Sequence, residues 1–254
     1  MIGGVLGLVV LLGGGAVVIL LLTGVLGGDR TQETLETTRE AQELLVREQD
    51  FPFEVSESGV ETIDTDDFED LTGDLYFPFH QDTVGFDLDA LREDLEDADV
   101  EDADACLQPW MDLEDHEELN AFLRTEPEVG VYRYADADRE AGPYAADVML
   151  LSYTEPVNAL GYLRPAYEAC ADMTWQLQSP SGSAAEIRLS HIDHHGFEGQ
   201  SLLMTSEGQP DHYTAVVLKE HGNNLLEVYY TGPGEQELFE LLDAQNERLE
   251  AGLD

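Results

Sequence analysis

Tyr213-Thr214-Ala215-Val216-Val217-Leu218-Lys219-Glu220-His221-Gly222-Asn223-Asn224-Leu225-Leu226-Glu227-Val228-Tyr229-Tyr230 decides the fold of this chain. Two runs rich in β-branched and aromatic residues flank a short polar connection whose Gly and Asn residues tolerate positive φ, so the stretch predicts an antiparallel hairpin. Upstream, Thr174 to Gln178, Ala184 to His191 and Gln200 to Ser206 read as three further strands, with Pro210 and Asp211 marking the turn before the hairpin. Downstream, Leu238, Leu241, Leu242 and Leu249 fall on one face of a terminal helix expected from about Gly234 to Glu250.

The pattern continues toward the N-terminus. Gly130 to Tyr134 and Ala146 to Tyr153 read as strands joined by the turn-rich Asp136 to Pro143. Thr154 is expected to cap a helix with Pro156 in its first turn. That helix places Val157, Leu160, Leu163, Tyr167 and Cys170 along one side, and Pro165 is expected to kink or split it. Leu113 to Leu123 reads as one short helix. These elements predict an α+β domain over residues 104–254: an antiparallel sheet with helices packed on one side.

Residues 1–28 predict a transmembrane helix. Ile2 to Gly28 carries no charged residue, and at about 1.5 Å per residue it outspans a hydrocarbon core of roughly 30 Å. It has no basic leader and is too long for a cleaved signal segment. Gly13, Gly14 and Gly15 would let a second helix approach, one route to a homo-oligomer. The chain begins inside this run, which is consistent with a cytoplasmic segment upstream. Residues 29–103 read as an acidic stalk and linker: a helical stalk from Asp29 to Asp50, another route to self-association, then an irregular acidic arm from Phe51 to Asp74. An aromatic segment from Tyr76 to Phe86 and a helical pattern over Asp87 to Ala98 follow.

Asp and Glu number 55 against 11 Lys and Arg, a formal net charge of −44. Such a surface repels phosphate backbones and excludes nucleic acid as a partner. It suits a halophilic environment, where salt screens the self-repulsion, or else a cation or basic protein partner. Cys106 and Cys170 lie beyond the apolar run. An even count in an exported domain predicts a disulfide; the alternative is two buried thiols. The few arginines near the membrane, Arg30, Arg39 and Arg47, follow the apolar run and argue mildly for the opposite orientation. The cysteine pair and the length of the C-terminal part outweigh them, and place that part outside the cytoplasm.

Ligand-type side chains concentrate in His191-Ile192-Asp193-His194-His195-Gly196. Imidazoles bind zinc or copper, so His191, Asp193, His194 and His195 form a candidate metal set, with a polar turn as the alternative. If the stretch stays extended, His191, Asp193 and His195 share a face. Asp136, Asp138, Glu140 and Asp147 match offsets of a calcium loop, but Ala141 stands where glycine is needed. No nucleophile elbow, phosphate loop or dinucleotide fingerprint is present, and no carboxylate pair stands out among so many acids. The reading is therefore non-enzymatic, with no cofactor. Trp110 and Trp175 read as packing residues or cleft walls.

One resemblance adds to this. Residues 104–254 resemble the extracytoplasmic sensor domains carried by actinobacterial PknH-like serine/threonine kinases. It rests on Ala105-Cys106-Leu107, the strand end Ser152-Tyr153-Thr154, the helix end Tyr167-Glu168-Ala169-Cys170-Ala171, the hairpin pairing Ala215–Lys219 with Glu227–Tyr230, and the amphipathic C-terminal helix. The resemblance implies an α+β domain with a cleft for a small ligand. This chain carries no kinase domain, and it has cysteines for one disulfide where relatives often carry two. The functional expectation is a membrane-anchored, extracytoplasmic sensor-like domain that binds a small ligand or a protein. The alternatives are a metal-binding protein or metal-dependent enzyme using His191–His195, and a structural surface protein.

Overall fold

The computed structural model describes residue 35, residues 37–63, residues 95 and 100, and residues 103–114, 116–123, 125–137, 144–178, 184–208 and 210–253. In chain order the helices are α1 (Thr38–Leu44), α2 (Ala103–Glu114), α3 (Glu117–Leu123), α4 (Leu160–Ala169) and α5 (Glu235–Leu253). The strands are β1 (Val55–Thr62), β2 (Val129–Ala137), β3 (Ala145–Ser152), β4 (Thr174–Gln178), β5 (Ala184–His194), β6 (Phe197–Ser206), β7 (His212–His221) and β8 (Asn224–Gly232). They form one sheet in the order β1-β2-β3-β8-β7-β6-β5-β4, with every neighbouring pair antiparallel. The α+β class holds.

The opening hairpin is β7 and β8. His221 pairs with Asn224 across a two-residue turn in which Gly222 has φ 61°. Glycine at that first central position is what a turn matching the strand twist requires. The pair sits at the middle of the sheet, flanked by β3 and β6.

Helices cover both faces of the sheet rather than one. On the disulfide face, α2, α3 and α4 bury Leu107, Trp110, Leu119, Leu163 and Tyr167 against Met149, Leu151, Leu189, Leu218 and Leu225. On the α5 face, Leu238, Leu241, Leu242 and Leu249, with Ala41, Leu44 and Leu45, pack on Val131, Val148, Leu150, Val217 and Val228. The physical reason is visible in Val148-Met149-Leu150-Leu151. Alternating side chains leave on opposite faces, and an unbroken apolar run needs an apolar layer on each.

The described part of the segment read as stalk, 35–63, belongs to this folded unit. Val55–Thr62 extends the sheet as its edge strand on β2. Helix α1 has a capping box: Glu40 N donates to Thr37 Oγ1 at 3.2 Å and Thr37 N donates to Glu40 Oε2 at 3.1 Å. Its end is held by Gln245 of α5, whose Nε2 donates to Leu44 O at 2.8 Å and whose Oε1 accepts from Val46 N at 2.9 Å. Arg248 pairs with Asp50 through Nε at 2.9 Å and a terminal guanidinium nitrogen at 2.8 Å. The thin stripe of Ala41, Leu44 and Leu45 is thus covered by the domain, not by a second stalk.

Helix α4 starts at Leu160, after Thr154 and Pro156, and runs unbroken through Pro165. Pro165 and Gly161, the residue whose carbonyl Pro165 cannot bond, both lie in the exposed face, where that carbonyl can meet water. The single helix expected over 113–123 is two, α2 and α3. The predicted membrane helix over 1–28, the acidic arm beyond residue 63, the aromatic segment 76–86 and most of the 87–98 helix lie outside the described residues. Among the described residues no helix is long and apolar enough to cross a membrane.

Candidate functional site

Cys106 on α2 and Cys170 at the end of α4 are joined in a disulfide. The bridge closes a loop with a sequence separation of 64 and ties the two helices together over the sheet. In the chain-entropy view such a loop stabilises by about 4 kcal/mol. Trp110 and Trp175 are buried packing residues, with Trp110 edge-on to Tyr167 at 5.5 Å.

The structure divides the histidine cluster. Strand β5 runs to His194, three residues further than the sequence suggests, so alternation sends His191 and Asp193 to the disulfide face with Leu189. His194 goes to the α5 face with Ile192. His195 leaves the strand in a left-handed turn, with φ 51° at His195 and 77° at Gly196. His194 and His195 therefore meet each other and Asp243 of α5, while His191 and Asp193 stand away from them. His80 is outside the described residues. His116 accepts from Leu119 N, and His221 ends β7. Asp136 and Asp147 of the suggested calcium loop lie in paired strands β2 and β3, and the residues between 138 and 143 are outside the described set.

The densest unpaired polar chemistry is on the disulfide face. Gln200 of β6 is fully buried, and neither its Oε1 nor its Nε2 has a hydrogen-bond partner. It pairs in register with His191 of β5, whose Nε2 is also buried without a partner. Tyr167 of α4 lies over His191, with ring centroids 6.4 Å apart, and its hydroxyl is buried and unbonded. Glu227 of β8 is buried, with one carboxylate oxygen unpaired. Burial pushes the Glu227 carboxyl well above the ordinary carboxylate range, and the nearby Asp147 adds to the shift. Burial also raises the Tyr167 phenol, helped by the charges of Glu227 and Glu198. Such groups normally find partners in a folded protein, and each left unpaired costs about 1–3 kcal/mol.

Around them the face stays polar. Asp147 of β3 is pushed up to about 6 by burial, then by Asp136, with a hydrogen bond from Tyr132 working the other way. A hydroxyl chain crosses β7 and β8. Thr214 Oγ1 lies 3.3 Å from His212 Nε2 and 3.3 Å from Thr231 Oγ1, which donates to the Tyr229 hydroxyl at 3.1 Å. At the far side Arg164 of α4 grips Glu198 with two nitrogens. The face offers a buried carboxyl on β8, a carboxamide on β6, an imidazole on β5 and a phenol on α4, each with an unbonded atom. It can hydrogen-bond a small polar molecule. The group lacks the nucleophile–base pairing that covalent catalysis uses.

Sequence reasoning singled out His191 and weighed Asp147 only as part of an incomplete calcium loop, and it passed over Gln200, Glu227 and Tyr167 as site residues. One signal was present: Glu227 interrupts Leu225-Leu226-Glu227-Val228, a charge inside an apolar strand.

No protein-family model matches the chain, and no curated protein matches it. Among solved structures, it is similar to the extracellular domain of PknH from Mycobacterium tuberculosis. The match has a TM-score of 0.34 and 8% identity, and it covers 48% of this chain and 64% of that one. It is also similar to CalU16 from Micromonospora echinospora, with a TM-score of 0.21 and 18% identity over 44% of this chain and 87% of that one. The chain thus spans just under two thirds of the first of these structures.

Proposed function

We propose that this chain is a membrane-anchored, extracytoplasmic, sensor-like domain that binds a small polar ligand on the disulfide face and performs no chemistry on it. The observation that carries the reading is the set of buried, unbonded groups at Gln200, Glu227, His191 and Tyr167. A ligand that bonds them removes a standing penalty, so binding and stability are coupled. Anchoring is supported by the uncharged run Ile2 to Gly28, and an oxidising compartment by the Cys106–Cys170 bridge. The resemblance in residue pattern to kinase sensor domains points the same way.

The test is thermal melting of the purified domain against a panel of amino acids, amines and polyols, in the wild type and in Gln200→Leu. A compound that raises the melting point of the wild type in a dose-dependent way, and leaves the variant unmoved, supports the reading. If hits shift both proteins equally, binding lies elsewhere and the disulfide face is only a costly core.

A further inference from the structure

We propose that His194, His195 and Asp243 form a binding site for a divalent transition-metal ion of the zinc class. The site lies on the α5 face, opposite the groups proposed to bind the small ligand, and it draws one ligand from a helix far along the chain.

The convergence is geometric. His194 Nε2 lies 2.7 Å from Asp243 Oδ1, and His195 Nε2 lies 3.2 Å from the same oxygen. Two imidazoles aimed at one carboxylate oxygen form a three-cornered set of donor atoms. Around zinc, with bonds of about 2.0–2.2 Å in tetrahedral geometry, such atoms stand about 3.3–3.6 Å apart. The His195–Asp243 contact is already near that spacing, and the His194–Asp243 contact must widen by about 0.6–0.9 Å to admit an ion. Each neutral ring would bind through Nε2, with its proton moved to Nδ1.

Each arm is already held. The His194 ring lies flat on Phe239, with centroids 4.2 Å apart and an interplanar angle of 1°. Phe239 and Asp243 are four residues apart on α5, so the helix presents the platform and the carboxylate on one side. The turn is fixed from the other direction. Lys219 Nζ donates to His195 O at 2.8 Å and also to Asn246 Oδ1 of α5. The left-handed φ of His195 is what places its ring beside His194 rather than on the far face. Ligands on supported elements lose little freedom on binding.

The donor set selects the ion. Two imidazoles and one carboxylate suit zinc, nickel, cobalt or copper and are poor for calcium or magnesium, which take oxygen. Three protein ligands leave a coordination position open. His195 and Asp243 are more than half exposed, so water reaches that position and the ion is exchangeable.

The test is titration of the chelator-treated domain with ZnCl2 in excess MgCl2, which occupies the general acidic surface. A parallel titration uses CoCl2, whose visible absorption reports nitrogen ligation. The wild type is expected to bind one ion. His195→Ala, His194→Asn and Asp243→Asn should each weaken binding at least about tenfold. Asp193→Asn, on the same strand but the opposite face, should match the wild type. Far-ultraviolet circular dichroism confirms that each variant is folded. Equal affinity in the wild type and the three ligand variants, or a loss in Asp193→Asn as large as in Asp243→Asn, would overturn the proposal. A cobalt spectrum without nitrogen ligation would do the same.

Discussion

Gln245 on the α5 face and Gln200 on the disulfide face are both fully buried amides. Gln245 bonds the backbone at Leu44 and Val46 with its two ends, whereas Gln200 bonds nothing with either. The layers differ in degree. On the α5 face, buried and half-buried polar groups tie elements together, Gln245 to the end of α1, Arg248 to Asp50 and Lys219 to Asn246, although the Tyr213 and Tyr230 hydroxyls there are also buried and unbonded. On the disulfide face an acid, an amide, an imidazole and a phenol each carry at least one buried atom without a partner. A satisfied buried polar group is structural, since removing it leaves its partners stranded. An unsatisfied cluster is a cost that stability alone does not explain, and a site is the natural place for it.

The comparison can be broken by core truncations, which carry the largest effect. Leu163→Ala on the disulfide face and Leu241→Ala on the α5 face should each cost about 2–5 kcal/mol by urea unfolding, because both side chains are fully buried. A cost under about 1 kcal/mol for Leu163→Ala alone would show that the disulfide face is not close-packed. Reduction of Cys106–Cys170 should follow, with a loss of about 2–4 kcal/mol read as a lower melting point in reductant.

The two glutamines sharpen the comparison directly. Gln245→Ala should destabilise by about 1–3 kcal/mol, since Val46 N–H and Leu44 C=O lose their partners in a buried setting. Gln200→Leu should be neutral or stabilise by about 1 kcal/mol in the absence of ligand, since it removes two unbonded atoms and strands none. Equal losses in the two variants would erase the distinction between the faces.

The acids give a pH signature of one sign. Asp147 binds its proton more tightly folded than unfolded, at about 6 against an ordinary 3.8. Its contribution to stability is therefore full below about 4 and is lost as pH rises through about 6. Glu227, also shifted upward by burial, adds a loss of the same sign. In high salt, which screens the general repulsion, the melting point should fall between pH 4.5 and pH 7.5, and the fall should shrink in Glu227→Gln. The smallest effect belongs to the surface. Arg39→Ala breaks an exposed pair with Glu43 and should change stability by no more than about 0.5 kcal/mol.

Much of the sheet was legible. Alternation and turn residues predict β4 with the observed bounds and the other six strands of residues 104–254 to within a few residues, because local φ/ψ preferences and side-chain period act over short spans. The disulfide follows from an even cysteine count beyond an apolar run. The edge strand Val55–Thr62 was not legible. Ser56, Glu57, Ser58 and Gly59 carry no strand pattern, and the segment is held by pairing with Val131 to Ala137, distant in sequence. Gln200 and Asp243 escaped notice for a related reason. A lone Gln in Gly199-Gln200-Ser201 and one Asp among so many acids look like surface until the fold shows what surrounds them.

The sequence by itself determined the α+β class, the central hairpin, the strongly anionic character and the candidate histidines, all of which are written in composition or in periods of a few residues. Only the tertiary structure decided that helices cover both faces, that residues 35–63 join the domain, and that the histidine run splits between opposite sides. Those outcomes depend on which distant segments lie against each strand. A side chain's direction is fixed by strand register, and one left-handed residue at His195 is enough to reverse it.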